Sequence, residues 1–218
     1  MKIGVLLDMD GTVLDTIQDL TDSTNAALAH FGYPARTAKE ICSFIGNGAW
    51  RLIREAMPSS EPDTQVDTVL AYYQQYYKAH CQIKTKPYDG ILEALADLGE
   101  TFSLAIVSNK PDAAVKALAA QYFPGMFALG ETPDCPRKPA PDMVYRAMEA
   151  LGAEKCIYVG DTEVDVLTAK NAGVPCLSVT WGFREISELQ AAGAEYFCHT
   201  TDKFPEMIRK IAGEIYGQ

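Results

Sequence analysis

The sequence predicts an α/β fold: a Rossmann-like parallel sheet core with an inserted all-α cap domain. Three observations carry that expectation. Short apolar runs of strand length recur, each ending in polar or acidic residues. Helical patterns alternate with the later runs, as in βα units that cover both faces of a parallel sheet. Between the first run and the second, only helical patterns occur, over a far longer stretch than a βα crossover needs.

The first run is Ile3-Gly4-Val5-Leu6-Leu7, ended by Asp8-Met9-Asp10-Gly11. Helical spacing of Ile17, Leu20, Ala27, Leu28 and Phe31 follows, with Thr16 and Asp19 placed to cap that helix. Further helical patterns lie near 38–44, 47–57 and 63–80. These define an inserted helical domain at 15–84, leaving 1–14 and 85–218 as the α/β core. The chain re-enters the core through Pro87-Tyr88-Asp89-Gly90 and a helix near 91–98. The second strand is Phe102–Val107, ended by Ser108-Asn109-Lys110, with Pro111 at the first helical position of the next helix. A short strand around Ala128-Leu129 and a helix near 141–151 come next. Cys156–Val159 is then ended by Gly160-Asp161, a helix covers 164–172, and Cys176–Val179 forms a further strand.

The chain has 218 residues, 48% of them hydrophobic and 22% charged, so disorder and small disulfide scaffolds are excluded. The net charge of −10 disfavours nucleic acid as a partner, though a locally basic pocket remains open to a small phosphorylated ligand. Its six cysteines show no metal-binding spacing and read as free thiols of a cytoplasmic protein. No apolar run is long enough to span a membrane.

Ligands of open parallel sheets bind beyond the carboxyl ends of the strands. There the sequence places Asp8 and Asp10, which share a direction at i and i+2, and Asp161 and Asp165, at the opening of a helix. One such aspartate caps a helix or shapes a turn. Four converging carboxylates need a cation, and an oxygen-only donor set with room for water suits Mg²⁺ better than zinc. Ser108 supplies a hydroxyl and Lys138 a point charge, the two things a phosphate needs. A carboxylate attacking phosphorus gives an aspartyl-phosphate, which water then hydrolyses.

These residues resemble the haloacid dehalogenase-like hydrolase superfamily. Its motifs are matched by Asp8-Met9-Asp10-Gly11-Thr12, Val107-Ser108-Asn109-Lys110, Lys138-Pro139 and Gly160-Asp161-Thr162-Glu163-Val164-Asp165. Gly46-Asn47-Gly48-Ala49 and Ser108-Asn109-Lys110-Pro111 are similar to its phosphoglycolate phosphatase group. The resemblance implies Asp8 as nucleophile and metal ligand, and Asp10 as general acid/base and backbone metal ligand. It implies Asp161 as a direct Mg²⁺ ligand, with Ser108, Asn109 and Lys138 holding the phosphoryl group. Thr12 and Asp165 would be supports. Gly46, Asn47, Gly48 and Arg51 are candidates for substrate specificity. Tyr72, Tyr73, Tyr76 and Tyr77 read as packing within the helical insert, and His30, His80 and His199 receive no role. The expected activity is Mg²⁺-dependent hydrolysis of a small phosphorylated metabolite, first of all 2-phosphoglycolate, by a monomer or homodimer. A sugar-phosphate mutase, a pyrophosphatase or nucleotide monophosphatase, and a catalytically idle binding module remain alternatives. Release of inorganic phosphate separates hydrolysis from mutase chemistry.

Overall fold

A computed structural model describes residues 2–217. The chain begins with strand β1 (Ile3–Leu7) and a short strand β2 (Leu14–Asp15), then helices α1 (Ile17–His30), α2 (Ala38–Phe44), α3 (Gly48–Ala56) and α4 (Asp63–His80). It returns through β3 (Lys86–Pro87) and α5 (Ile91–Gly99) to β4 (Ser103–Pro111), α6 (Asp112–Tyr122), β5 (Phe127–Glu131) and α7 (Asp142–Leu151). The remaining elements are β6 (Lys155–Gly160), α8 (Glu163–Ala172), β7 (Cys176–Val179), α9 (Ile186–Ala192), β8 (Tyr196–Cys198) and α10 (Phe204–Tyr216).

Six strands form one parallel sheet in the order β5-β4-β1-β6-β7-β8. The sheet is buried on both faces because side chains alternate along each strand. From β1, Ile3, Val5 and Leu7 enter a cluster with Leu98, Val115, Phe204 and Ile208, whereas Leu6 joins Met143, Val144, Tyr158 and Ala169 on the other face. β1 lies at the centre, so its carboxyl end meets those of β4 and β6 where the strand order reverses. That reversal is where an open α/β sheet offers a crevice.

Helices α1–α4 have their own hydrophobic cluster, built from Leu28, Ile41, Leu52, Ile53, Val69 and Tyr73. Two chain segments lead into and out of it, and they pair as an antiparallel ribbon through Leu14↔Pro87 and Asp15↔Lys86. Thr16 makes no capping bond at α1. Asp19 is instead drawn inward, where it accepts the backbone N–H groups of Ile83, Lys84 and Thr85 at 2.8–3.1 Å. It fastens the start of the helical insert to its exit. Pro111 also differs from expectation: it ends β4 and precedes α6, because the β4–β5 pairing continues to Pro111↔Glu131 after a register shift. All six cysteines are free. No described helix is long and apolar enough to cross a membrane.

Candidate active site

The carboxyl ends of β1, β4 and β6 deliver Asp8, Asp10, Ser108, Lys110 and Asp161 into one region. Gly11 makes this convergence possible in two ways. Its φ of +81° lets the chain turn away after Asp10, and a side chain there would collide with the Asp161 carboxylate. Gly182, in the loop after β7, presses on Asp161 from another side and equally excludes a Cβ. Asp161 Oδ1 accepts a 2.8 Å bond from Thr12 Oγ1, and Oδ2 accepts a 2.8 Å bond from the Phe183 N–H. Thr12 and the Phe183 backbone thus both brace the Asp161 carboxylate, and the second contact is not announced by the sequence.

Carboxylate oxygens of Asp8, Asp161 and Asp165 lie within 4.8 Å of one another, all buried. Burial pushes the Asp8 carboxyl up to about 6; the charges of Asp165 and Asp10 add to this, and Lys138 opposes it. Burial, with Asp165 and Asp8 beside it, also holds the Asp161 carboxyl well above the usual range. For Lys138, burial alone would favour the neutral amine, but Asp165 and Asp8 outweigh it and keep the ammonium charged. Lys138 Nζ stands 2.7 Å from Asp165 Oδ1 and 3.0 Å from Asp8 Oδ1. Asp8 Oδ1 nonetheless receives no aligned hydrogen bond.

Asp165 is fully engaged. One oxygen takes Lys138, and the other takes the backbone N–H and hydroxyl of Thr162 at 3.0 and 2.7 Å, closing a capping box at the start of α8. Its place is to hold Lys138 and the helix rather than to offer a free ligand oxygen. Asp10 is held by Lys110, whose Nζ lies 2.7 and 2.9 Å from its two oxygens. Lys110 is the functional side chain that the expected set lacks, although it stands in the motif beside Ser108 and Asn109.

Four carboxylates, Asp8, Asp10, Asp161 and Asp165, face two ammonium groups, Lys110 and Lys138. Formally, two negative charges are left without a counter-charge in this buried cluster. One divalent cation neutralises them, and its donors would be oxygens alone. The unbonded Asp8 oxygen and the glycine-lined cradle around Asp161 fit such an ion.

Ser108 is buried and accepts only a long 3.4 Å bond from the Lys110 N–H, which leaves its hydroxyl hydrogen to donate. Asn109 is buried, and its side-chain amide is held on both sides. Its amide donates to Gly46 O at 3.0 Å and Lys138 O at 2.9 Å, and its carbonyl accepts the Lys138 N–H at 2.8 Å. Both amide hydrogens are spent, so the side chain positions the Lys138 loop against the helical insert instead of binding phosphate.

Over these groups lies a small cavity. Gly46, Gly48 and Ala49 line it, but Asn47 and Arg51 do not. Arg51 points outward, exposed and paired with Glu55. Tyr73 and Tyr77 do line the cavity, which corrects their reading as packing alone, whereas Tyr72 and Tyr76 stack outside it with His30 and His80. Arg184, in the loop after β7, is buried at the seam. It donates to Cys42 O and Ile45 O at 2.8 and 2.7 Å and to Glu163 Oε2 at 2.8 Å. No local pattern marks it in the sequence, because its partners are backbone carbonyls far along the chain.

The sequence profile of haloacid dehalogenase-like hydrolases matches residues 5–179. "Phosphoglycolate phosphatase 1" of Pseudomonas aeruginosa is 32% identical over 190 residues, covering 82% of this chain and 70% of its own. The phosphoglycolate phosphatase of Cereibacter sphaeroides is 32% identical over 217 residues, covering 95% and 98%. A solved phosphoglycolate phosphatase candidate from Lactobacillus delbrueckii subsp. bulgaricus superposes with a TM-score of 0.89 at 38% identity, covering 95% of this chain and 98% of that one.

Proposed function

The chain belongs to the haloacid dehalogenase-like hydrolase family, as a phosphatase of its phosphoglycolate phosphatase-like group, and on that premise we propose a Mg²⁺-dependent phosphomonoester hydrolase working through an aspartyl-phosphate. The observation that carries this reading is the excess of two carboxylate charges around Asp8, beside a buried lysine and a free serine hydroxyl. Asp8 attacks phosphorus; the bond to the leaving oxygen breaks, and a proton from Asp10 goes to that oxygen. Asp10 then takes a proton from water, the water attacks the aspartyl-phosphate, and Asp8 and inorganic phosphate are released. Lys138 and the Ser108 hydroxyl hold the phosphoryl oxygens, and Lys110 fixes Asp10. Asp8, Asp161 and the backbone carbonyl of Asp10 would hold Mg²⁺. When bound, Mg²⁺ supplies positive charge that screens the nucleophile from the phosphate and stabilises the transferring group. Residues 15–84 act as a cap on the core at 1–14 and 85–218, with Gly46 and Gly48 at its lower edge.

The names of the relatives support 2-phosphoglycolate as the first ester to assay. Phosphate release from that ester, p-nitrophenyl phosphate and a panel of small esters, with Mg²⁺ or chelator, tests the reading. Release that needs Mg²⁺ and disappears in Asp8→Asn is the expected result. Release unaffected by chelator or by Asp8→Asn would overturn it.

A further inference from the structure

The wall of the cavity opposite the sheet is apolar, built chiefly from Leu20, Ile45, Ala49, Leu52, Tyr73 and Tyr77. A charged group of a substrate directed at this wall would lose its water and gain no partner, which is costly. Among the described lining residues the only cations are Lys110 and Lys138. Arg184 is spent on Cys42 O, Ile45 O and Glu163, and Arg137 stands outside the lining, 3.7 Å from Glu131.

The two lysines occupy different sides of the reacting centre. Lys138 Nζ sits between Asp8 and Asp165, where the phosphoryl group is transferred. Lys110 Nζ lies 2.7 and 2.9 Å from the two oxygens of Asp10, the acid that must touch the leaving oxygen. Those bonds use at most two of its three ammonium hydrogens. The face of the Tyr77 ring, 4.8 Å from Nζ to its centroid, holds the ammonium at the border between the sheet end and the wall. Lys110 is no more enclosed than Lys138, since each side chain is 2% exposed. Lys138 also shows that one buried ammonium of this site serves two carboxylates at once.

We propose that Lys110 is a specificity-determining residue that pairs with a carboxylate on the leaving group, so that the preferred substrates are phosphate monoesters of small 2-hydroxy acids. This inference rests on the phosphatase reading above and narrows its substrate class. In such an ester the carboxylate carbon is two bonds from the ester oxygen. With Asp10 hydrogen-bonded to that oxygen, the carboxylate comes to lie beside Asp10, where Nζ stands. A neutral alcohol of the same size leaves the remaining ammonium hydrogen unpaired. Selectivity built on a buried polar partner is strong, because the analogue lacking the group leaves that partner unsatisfied.

The test compares 2-phosphoglycolate with 2-hydroxyethyl phosphate, which differ by carboxylate against CH₂OH, in the native protein, Lys110→Met and Lys110→Arg. Native kcat/KM should favour 2-phosphoglycolate by at least about 10-fold. Lys110→Met loosens Asp10 and slows both esters, but its loss on 2-phosphoglycolate should exceed that on 2-hydroxyethyl phosphate by at least about 10-fold. Lys110→Arg keeps the charge and should keep the order of preference. Equal losses on the two esters in Lys110→Met would reduce Lys110 to a support of Asp10 and overturn the proposal. A native preference for the hydroxyethyl ester would overturn it too, and either result leaves the phosphatase reading intact. Calorimetric binding of both esters to Asp8→Asn, with and without Lys110→Met, reads selectivity without turnover. Tighter binding of 2-phosphoglycolate to Asp8→Asn, lost in the double variant, supports the proposal even if neither ester is hydrolysed. Equal or weaker binding of 2-phosphoglycolate to Asp8→Asn overturns it, whether or not Lys110→Met folds.

Discussion

At the sheet end of the cavity, Asp8, Asp10, Asp161 and Asp165 are each braced by a lysine, a hydroxyl or a backbone amide. At the helical end, Leu20, Ile45, Ala49 and Leu52 carry no charge, and one tyrosine hydroxyl goes unpartnered. The sheet end holds concentrated like charge in fixed positions, which suits a reaction whose barrier is mostly electrostatic. The helical end is shaped chiefly by packing and can change its residues without disturbing that charge. On the proposed reading, chemistry and selectivity for the carbon skeleton are separated across one cavity.

The largest effect should come from Asp8. Asp8→Asn should reduce phosphate release by roughly 10⁴-fold or more, while a substitution on the wall should alter which ester is chosen. Single-turnover rates on p-nitrophenyl phosphate check this; a similar loss from Leu52→Ala would erase the distinction between the two ends. Lys138→Met comes next. It removes the cation shared by Asp8 and Asp165, and should cost about 10²–10³-fold in kcat. Stability should fall by about 3–5 kcal/mol because buried carboxylates lose their partner. Urea unfolding measures the second part, and an unchanged midpoint would show that the carboxylates do not depend on Lys138.

The strain at the sheet end should also appear as pH-dependent stability. Asp8 is raised from 3.8 to about 6, so the folded state binds its proton more tightly than the unfolded chain does. Its contribution is full below pH 3.8 and is lost as pH rises through 6. That loss is of order 3 kcal/mol for this group. Unfolding followed across this window in chelator should show the decline, and both Asp8→Asn and added Mg²⁺ should reduce it. A flat profile in chelator would mean that the carboxylates do not crowd one another.

Arg184→Ala acts on the seam between the ends. It frees the carbonyls of Cys42 and Ile45 from the core and should raise KM about 10-fold, with kcat on bound ester changed less. Equal falls in kcat and kcat/KM would place its effect in the reaction itself. Arg51→Ala should be the smallest effect, within about 2-fold, because its exposed side chain meets only Glu55.

The sheet end was far more legible in the sequence than the helical end. Strands such as Ile3–Leu7 and Cys176–Val179 are apolar throughout because both faces are covered, and their ends fix where acidic residues must gather. Asp8, Asp10, Ser108 and Asp161 follow from that placement, whereas Lys138 comes from the loop before α7. Tyr73 and Tyr77 were not separable from Tyr72 and Tyr76, since helical spacing shows a stripe without saying whether a cavity or a neighbour lies beneath it. The anchoring of the Asn109 side chain was not legible because its partners, Gly46 and Lys138, come from other segments. Beyond Val179, β8, α9 and α10 depend on packing against the sheet edge and α5, and the patterns described above do not announce them.

The most direct measurement is acid-quenched mass spectrometry of the enzyme turning over p-nitrophenyl phosphate with Mg²⁺, with Asp10→Asn used to slow release of the intermediate. The account predicts one phosphoryl group on the peptide containing Asp8, and none in Asp8→Asn. Steady hydrolysis with no phosphoryl group on Asp8, or with the group on another residue, would contradict it.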